Sequence, residues 1–345
     1  MATSETQALD DIIVESRRKM LSLGTTALAG LVLGGVTKKA DAATLTDTDI
    51  LNFALNLEYL EANFYNLAVN GATIDKLSTP IGITGTGTQG VILTKPNFAK
   101  VPFAISTIKA YATETAIEEG KHVSFLRGAL GTSAVAQPQI DLVASFNTLA
   151  TAAGIGSTFD PFANDAFFLI GAYIFEDVGV TAYHGAAGSI SSSANLSAAV
   201  GIHAVEAYHA GLVRTAINAL DANPTASGVP TGTLTNLTQK ISAARSMLAN
   251  STSAPTKQVT NGGITGADDQ GIDNTVKVAL NTSSATFAST TIVDADNNSI
   301  GFARTPSQIL SIVTGQSPAA ASGNKGVFFP NGLNGNINSG VLQTR

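Results

Sequence analysis

The sequence predicts an all-α protein: a four-helix bundle with one long crossover, followed by an irregular C-terminal extension. Three observations predict it. Four amphipathic segments alternate with turn-rich connections. One arrangement of acids, tyrosine and histidine occurs twice along those segments. The chain is 44% hydrophobic and only 13% charged, which allows a sizeable core in a chain of 345 residues.

The first helix is expected over roughly 47–70. Thr46-Asp47-Thr48-Asp49 supplies cap residues and first-turn acids, and Asn70-Gly71 supplies the stop. Leu51, Ala54, Leu55, Glu58, Ala62 and Tyr65 share one face of it. Residues 71–101 read as an excursion, with a strand-like Val91-Ile92-Leu93-Thr94 in a small hairpin. The second helix is expected from Val101-Pro102 to Leu130, with Gly131 as its stop. Gly120 inside it costs about 1 kcal/mol relative to Ala, which points to close backbone approach. Residues 131–160 form the long crossover. Asp160-Pro161 is expected to open the third helix, ending near Gly188, and Ser191 to Ser193 with Asn195 to cap the fourth, ending near Ala222.

Beyond the bundle, 43–225, lies the extension 226–345. A helix is expected over 233–249, packing through Leu234, Leu237, Ile241 and Met247, and another from Thr305-Pro306 to Val313. The remaining Gly-, Ser-, Thr- and Asn-rich chain is expected to wrap the bundle. Asp294-x-Asp296-x-Asn298 resembles half of a calcium loop, but it lacks the Gly and Glu of the full loop and reads as a polar turn.

Residues 1–42 read as an export signal. Arg17-Arg18-Lys19 precedes an apolar stretch from Met20 to Val36, and Ala40-Asp41-Ala42 offers a cleavage site. The arginine pair resembles the twin-arginine signal, so a periplasmic or extracellular location is expected, with no membrane span after cleavage.

The chain contains no Cys, so disulfides and thiolate metal sites are excluded. A net charge of −6 argues against nucleic acid as a partner. Metal ligands must come from oxygen and imidazole nitrogen, a set suited to iron or manganese. The four histidines are His122, His184, His203 and His209.

Glu58 is followed seven residues later by Tyr65, and then by Glu119-Gly-Lys-His122. Glu176 is followed seven residues later by Tyr183, and then by Glu206-Ala-Tyr-His209. On helices, a seven-residue spacing returns to the same face, and a three-residue spacing places Glu and His on adjacent turns. Four carboxylates and two imidazoles then meet at one level of the bundle. Four buried carboxylates repel one another unless cations neutralise them, so the pattern predicts two metal ions held by Glu58, Glu119, His122, Glu176, Glu206 and His209. The repeat extends to Leu126-Arg127 and Val213-Arg214 at the same offset from each His, which implies pseudo-twofold symmetry. Glu61 and Glu118 fit neither spacing. His203, three residues before Glu206, reads as a helix-face neighbour or an extra ligand, and His184 as unrelated.

With these motifs the chain resembles the ferritin-like superfamily, and within it the desiccation-related group. Gly301-Phe-Ala-Arg-Thr-Pro306 and Gly326-Val-Phe-Phe-Pro-Asn-Gly332 add to the closer resemblance. The resemblance implies a dinuclear iron or manganese centre. In it Glu119 and Glu206 bridge, and Glu58, Glu176, His122 and His209 are terminal ligands. Tyr65 and Tyr183 are the catalytic-site tyrosines that hydrogen-bond those ligands. Ferrous-ion oxidation, or reduction of oxygen or peroxide in stress protection, is the implied activity. A non-enzymatic desiccation or stress protein that binds metal is the alternative. Metal ions, oxygen or peroxide are the expected partners, with homo-oligomers possible. The long first connection and the C-terminal extension count against packing into a storage shell.

Overall fold

Thr46 opens the first helix with a reciprocal cap, its hydroxyl accepting from the Asp49 amide while the Asp49 carboxylate accepts from the Thr46 amide. The helix, α1, is Asp47–Asn70 and ends on Gly71, whose φ of 71° suits a residue without Cβ. The computed structural model describes residues 45–250, 268–272, 292–296, 298–316 and 323–337. The expected export signal lies outside the described residues.

Helix α2 is Ser106–Leu130, α3 is Ala144–Ala152, α4 is Asp165–Ala187 and α5 is Ser193–Asp221. A single turn, α6 (Pro224–Ser227), leads to α7 (Thr233–Asn250), and α8 is Pro306–Thr314. The described residues are mostly helical, as the sequence predicts. α1 pairs with α2, and α4 with α5, as two hairpins that face each other. α4 is long and apolar enough to cross a membrane by length and composition, but most of it is buried inside the bundle.

Four expectations are corrected. Helix α2 begins at Ser106 rather than near Pro102. Asp165 is the reason, because its carboxylate accepts from the Ala104 and Ile105 amides and holds that segment extended. Helix α4 begins after Asn164, which caps the Phe167 amide. Asp160 instead pairs with Lys95 and closes a turn onto the Phe162 amide. The hairpin in 71–101 is absent. Its strand β1 (Ile92–Leu93) runs parallel to β2 (Ile140–Asp141) in the crossover, so the two long connections are stitched together. Met247 is exposed, whereas Leu234 and Ile241 are buried.

Helix α3, inside the expected connection, is held by an aromatic cluster. Phe146 packs on Phe64, Phe175 and Phe328, with ring centroids 5.5–6.1 Å apart. Burying each such ring contributes about 1.5–3 kcal/mol. The added contacts with Phe328 bind the C-terminal segment to the bundle.

Helix α1 is buried on almost every side, and its amides serve as anchors. Asn52 accepts from the Val135 amide and donates to the Ser133 carbonyl. Asn56 exchanges both bonds with the backbone of Asn334. Asn63 donates to Gln137 and accepts from the Ile74 amide. Each buried amide is therefore satisfied by a connection that wraps α1. Gly120 packs under Ile81, where an added Cβ would lie 2.8 Å from the Ile81 Cδ1. A side chain, not backbone, makes the approach there.

A second anchor lies behind α4. Arg245 of α7 donates to Asp177 at 2.9 Å and to Asp269 at 2.8 Å. Arg304 donates to Asp269 at 2.8 Å, and Arg214 to Asp177 at 2.8 Å. Burial opposes the charge on Asp269, but the Arg245 and Arg304 guanidinia outweigh it and hold its carboxyl below the usual range. Around Asp294–Asn298 the Asp296 carboxylate accepts the Asn298 and Ile300 amides, closing a tight polar turn.

Candidate metal centre

Each of the four long helices delivers its part of the motif to one level. Glu58 and Tyr65 come from α1, Glu119 and His122 from α2, Glu176 and Tyr183 from α4, and Glu206 and His209 from α5. All eight side chains are buried. The halves repeat in detail. Arg127 reaches the hydroxyl of Tyr59, the residue after Glu58, and Arg214 reaches Asp177, the residue after Glu176.

Two overlapping groups form. Glu58, Glu119, His122 and Glu206 offer donor atoms within 4.8 Å of one another, and so do Glu119, Glu176, Glu206 and His209. Glu119 and Glu206 belong to both. Glu119 Oε2 lies 3.4 Å from His122 Nδ1, while its Oε1 lies 2.9 Å from His209 Nδ1. His122 Nδ1 is also 3.2 Å from Glu58 Oε2 and 3.4 Å from Glu206 Oε1. His209 Nδ1 is 3.5 Å from Glu176 Oε2.

These approaches are not aligned hydrogen bonds. Both oxygens of Glu119 and of Glu206, one oxygen each of Glu58 and Glu176, and Nδ1 of both histidines lack a hydrogen-bond partner. Buried polar atoms normally find one. Here the donor atoms aim at shared points between them, as ligands around a cation do. The remaining oxygen of Glu58 accepts from the Tyr183 hydroxyl, and that of Glu176 from the Tyr65 hydroxyl. The tyrosines thus cross over, each serving the carboxylate of the opposite hairpin. Burial first, and then the neighbouring carboxylates, keep both phenols protonated and able to donate. The residues present fit a metal-binding group of oxygen and imidazole donors.

Sequence reasoning missed two acids. On the far side of the site the Glu118 carboxylate accepts from His209 Nε2, 2.7 Å away, which sets the orientation of that ring. Its half-buried position on α2 gave no periodic signal. Glu61 is buried three residues after Glu58. Burial, then Glu206 and the other three carboxylates, push its carboxyl well above the usual range. His203 joins neither group and lies beside His184, ring centroids 5.8 Å apart and tilted by 39°. His184 meets the Phe302 carbonyl at 3.1 Å. A third acidic group, Asp177, Asp269 and Asp294, already has arginine guanidinia among its members.

Gly179 occupies the position in the second hairpin that Glu61 holds in the first. A Cβ there would lie 2.2 Å from Glu206 Oε2. Gly179→Ala is therefore expected to push the Glu206 carboxylate aside and lower metal affinity about 10–100-fold, read by competition with a metal-binding dye. Unchanged affinity would show that Glu206 does not depend on that space.

The electrostatics set a pH dependence for the metal-free protein. Burial, opposed by His122 and reinforced by Glu119, raises the Glu58 carboxyl from 4.5 to about 7. Burial also raises Glu176 and Glu206. Burial lowers the proton affinity of His122 and His209, but the surrounding carboxylates outweigh it and raise both. In every case the folded state holds protons that the unfolded chain releases. Stability is then fully present below pH about 4.5 for the acids and about 6.5 for the histidines, and is lost as the pH rises through the folded values. Burial opposes the charge on Glu119, but the two histidines outweigh it and hold its carboxyl low, so its contribution is present above pH about 4.5 and is lost only as the pH falls below that. The melting temperature of chelator-treated protein is expected to fall from pH 5 to pH 8, with Glu58 alone contributing about 3 kcal/mol. Metal should displace those protons and restore stability most at the higher pH. Equal melting temperatures across this range in the metal-free protein would contradict the buried cluster.

A bundle of this kind around such a cluster defines a ferritin-like protein. The chain belongs to that family: the profile of the ferritin-like domain matches residues 46–219. Over 306 residues it is 30% identical to desiccation-related protein PCC13-62 of Craterostigma plantagineum, covering 87% of each chain. It is 25% identical over 295 residues to ferritin-like catalase Nec2 of Nesocodon mauritianus, covering 84% of each. No solved structure matches the chain.

Proposed function

We propose that the protein holds a dinuclear iron or manganese centre and uses it to remove peroxide in an exported, stress-protective role. The observation that carries this is the placement of the two Glu119 oxygens, one against each histidine. Glu58, His122, Glu176 and His209 are the terminal ligands in this reading, and Glu119 and Glu206 the shared ones. Four carboxylates balance the charge of two divalent ions, which makes the buried cluster electrically neutral.

Bound there, the metal pair supplies the two-electron capacity that converts two hydrogen peroxide molecules to two waters and one dioxygen. The protein supplies position and exclusion of water. Tyr65 and Tyr183 fix the terminal carboxylates by donating to one oxygen each, which leaves the other oxygen for metal. Glu118 fixes His209. Ferrous-ion oxidation, with the ion as substrate, uses the same site. The likeness to a ferritin-like catalase supports peroxide as the reactant.

The likeness to a desiccation-related protein favours a second reading, metal binding without turnover. Dioxygen release from hydrogen peroxide separates the two. Catalase function predicts release per bound metal far above that of the same free ions. Release equal to the free ions would leave metal binding alone. The export proposal rests on Arg17-Arg18 and Ala40-Asp41-Ala42, and mass spectrometry of the mature protein should place its first residue at Ala43.

A further inference from the structure

The repeat breaks at one position. Glu58-x-x-Glu61-x-x-x-Tyr65 in the first hairpin corresponds to Glu176-x-x-Gly179-x-x-x-Tyr183 in the second. One half presents a carboxyl group there, and the other presents a hydrogen atom. Both residues line the same two internal cavities.

The larger cavity measures about 50 Å³ and is walled by side chains such as Leu60, Phe146, Ile174, Phe175 and Phe328. The smaller measures about 30 Å³ and reaches Glu58 and Tyr183 of the metal cluster. Leu57, Glu61 and Gly179 belong to the walls of both. The missing side chain at Gly179 lets the Glu206 carboxylate lie directly against that wall. Apolar space thus runs from the aromatic cluster to the edge of the candidate ligands, and the Glu61 carboxyl group stands in the wall that the cavities share.

We propose that these cavities hold and conduct dioxygen to or from the metal cluster, across the wall formed by Leu57, Glu61 and Gly179. The volume selects a small molecule, since about 10–15 Å³ suffices for one water. The lining selects an apolar one. Hydrogen peroxide or water in the larger cavity would forgo most of its hydrogen bonds, a cost of some kcal/mol that dioxygen does not incur. A dry cavity lined by Leu, Ile and Phe also takes up apolar gases such as xenon. Dioxygen is the product of peroxide removal and the oxidant in ferrous-ion oxidation, so either direction of the proposed chemistry needs such a path. This inference rests on the dinuclear reading for its purpose, but not for the existence of the gas site.

The test has two arms. Crystals of the chelator-treated protein are pressurised with xenon, and a xenon peak is expected in the larger cavity. An empty cavity under xenon overturns the proposal, whatever metal the protein binds. Ala150→Phe on α3 and the half-buried Ala153→Phe at its C-terminal cap then fill the cavity, away from every candidate ligand. With metal content equal to the parent protein, oxidation of the ferrous-loaded form by dissolved dioxygen is expected to slow about tenfold or more in each folded variant. An unchanged rate in both overturns the path. A parent protein that binds no metal refutes the dinuclear reading instead, and the xenon result still decides whether the gas site exists.

Discussion

If the proposed dinuclear centre holds, Glu119→Ala is expected to empty both metal positions at once, whereas Glu58→Ala should weaken one. Glu119 belongs to both donor groups, with one oxygen facing His122 and the other facing His209. Glu58 belongs to the His122 group alone. Removing Glu119 also leaves a cluster of three carboxylates to balance two divalent ions, so binding loses charge compensation as well as two donor atoms. Metal counted per chain after dialysis should fall to near zero for Glu119→Ala and to about half the parent value for Glu58→Ala. Far-ultraviolet circular dichroism should show both variants still helical. Equal metal retention in the two variants would remove the shared-ligand geometry from the account.

The second large effect lies away from the candidate metal ligands. Arg245→Ala is expected to destabilise the fold by about 3–5 kcal/mol, because it takes one of the two guanidinium partners from each of the buried carboxylates Asp177 and Asp269, leaving Arg214 and Arg304 to hold them alone. For a chain of this size the melting temperature should fall by about 10 °C or more. The loss should also free the described segment 268–272 from α4, which trypsin digestion would detect as earlier cleavage near it. Asp177 adjoins Glu176 on α4, so metal affinity provides a control. If the network only anchors the extension, loaded Arg245→Ala should still bind metal at the parent stoichiometry. A melting temperature within a degree or two of the parent would show that this network contributes little to stability.

The convergence of the buried Glu/His cluster was legible in the sequence because helical geometry turns spacing into position. Glu and Tyr seven apart, and Glu and His three apart, each share a face, and doubling the pattern fixed which four faces converge. The cross-donation from each tyrosine to the opposite hairpin was not legible, since no spacing within one helix encodes it. Glu61 was passed over for the same reason. Its partner position is Gly179, and only the folded bundle brings the two to one cavity wall.

Helix starts were set by contacts distant in sequence. Asp160-Pro161 has the local chemistry of a helix start, yet Asn164 caps α4 and Asp165 reaches across to hold the residues before α2. The strand-like character of 91–94 was legible and contains β1, but its pairing was not, because β2 is two residues long and lies in another connection. Helix α3 was hidden because its anchor, Phe146, packs on rings from α1, α4 and the C-terminal segment. The asparagines of α1 looked like ordinary polar positions until the connections that satisfy them were in place.

The most direct measurement is anomalous X-ray diffraction at the iron and manganese absorption edges, on crystals of protein purified without chelator. The account predicts two peaks inside the bundle, one beside Glu58 and His122 and the other beside Glu176 and His209, with Glu119 and Glu206 between them. No peak, a lone peak, or peaks outside these six side chains would contradict it.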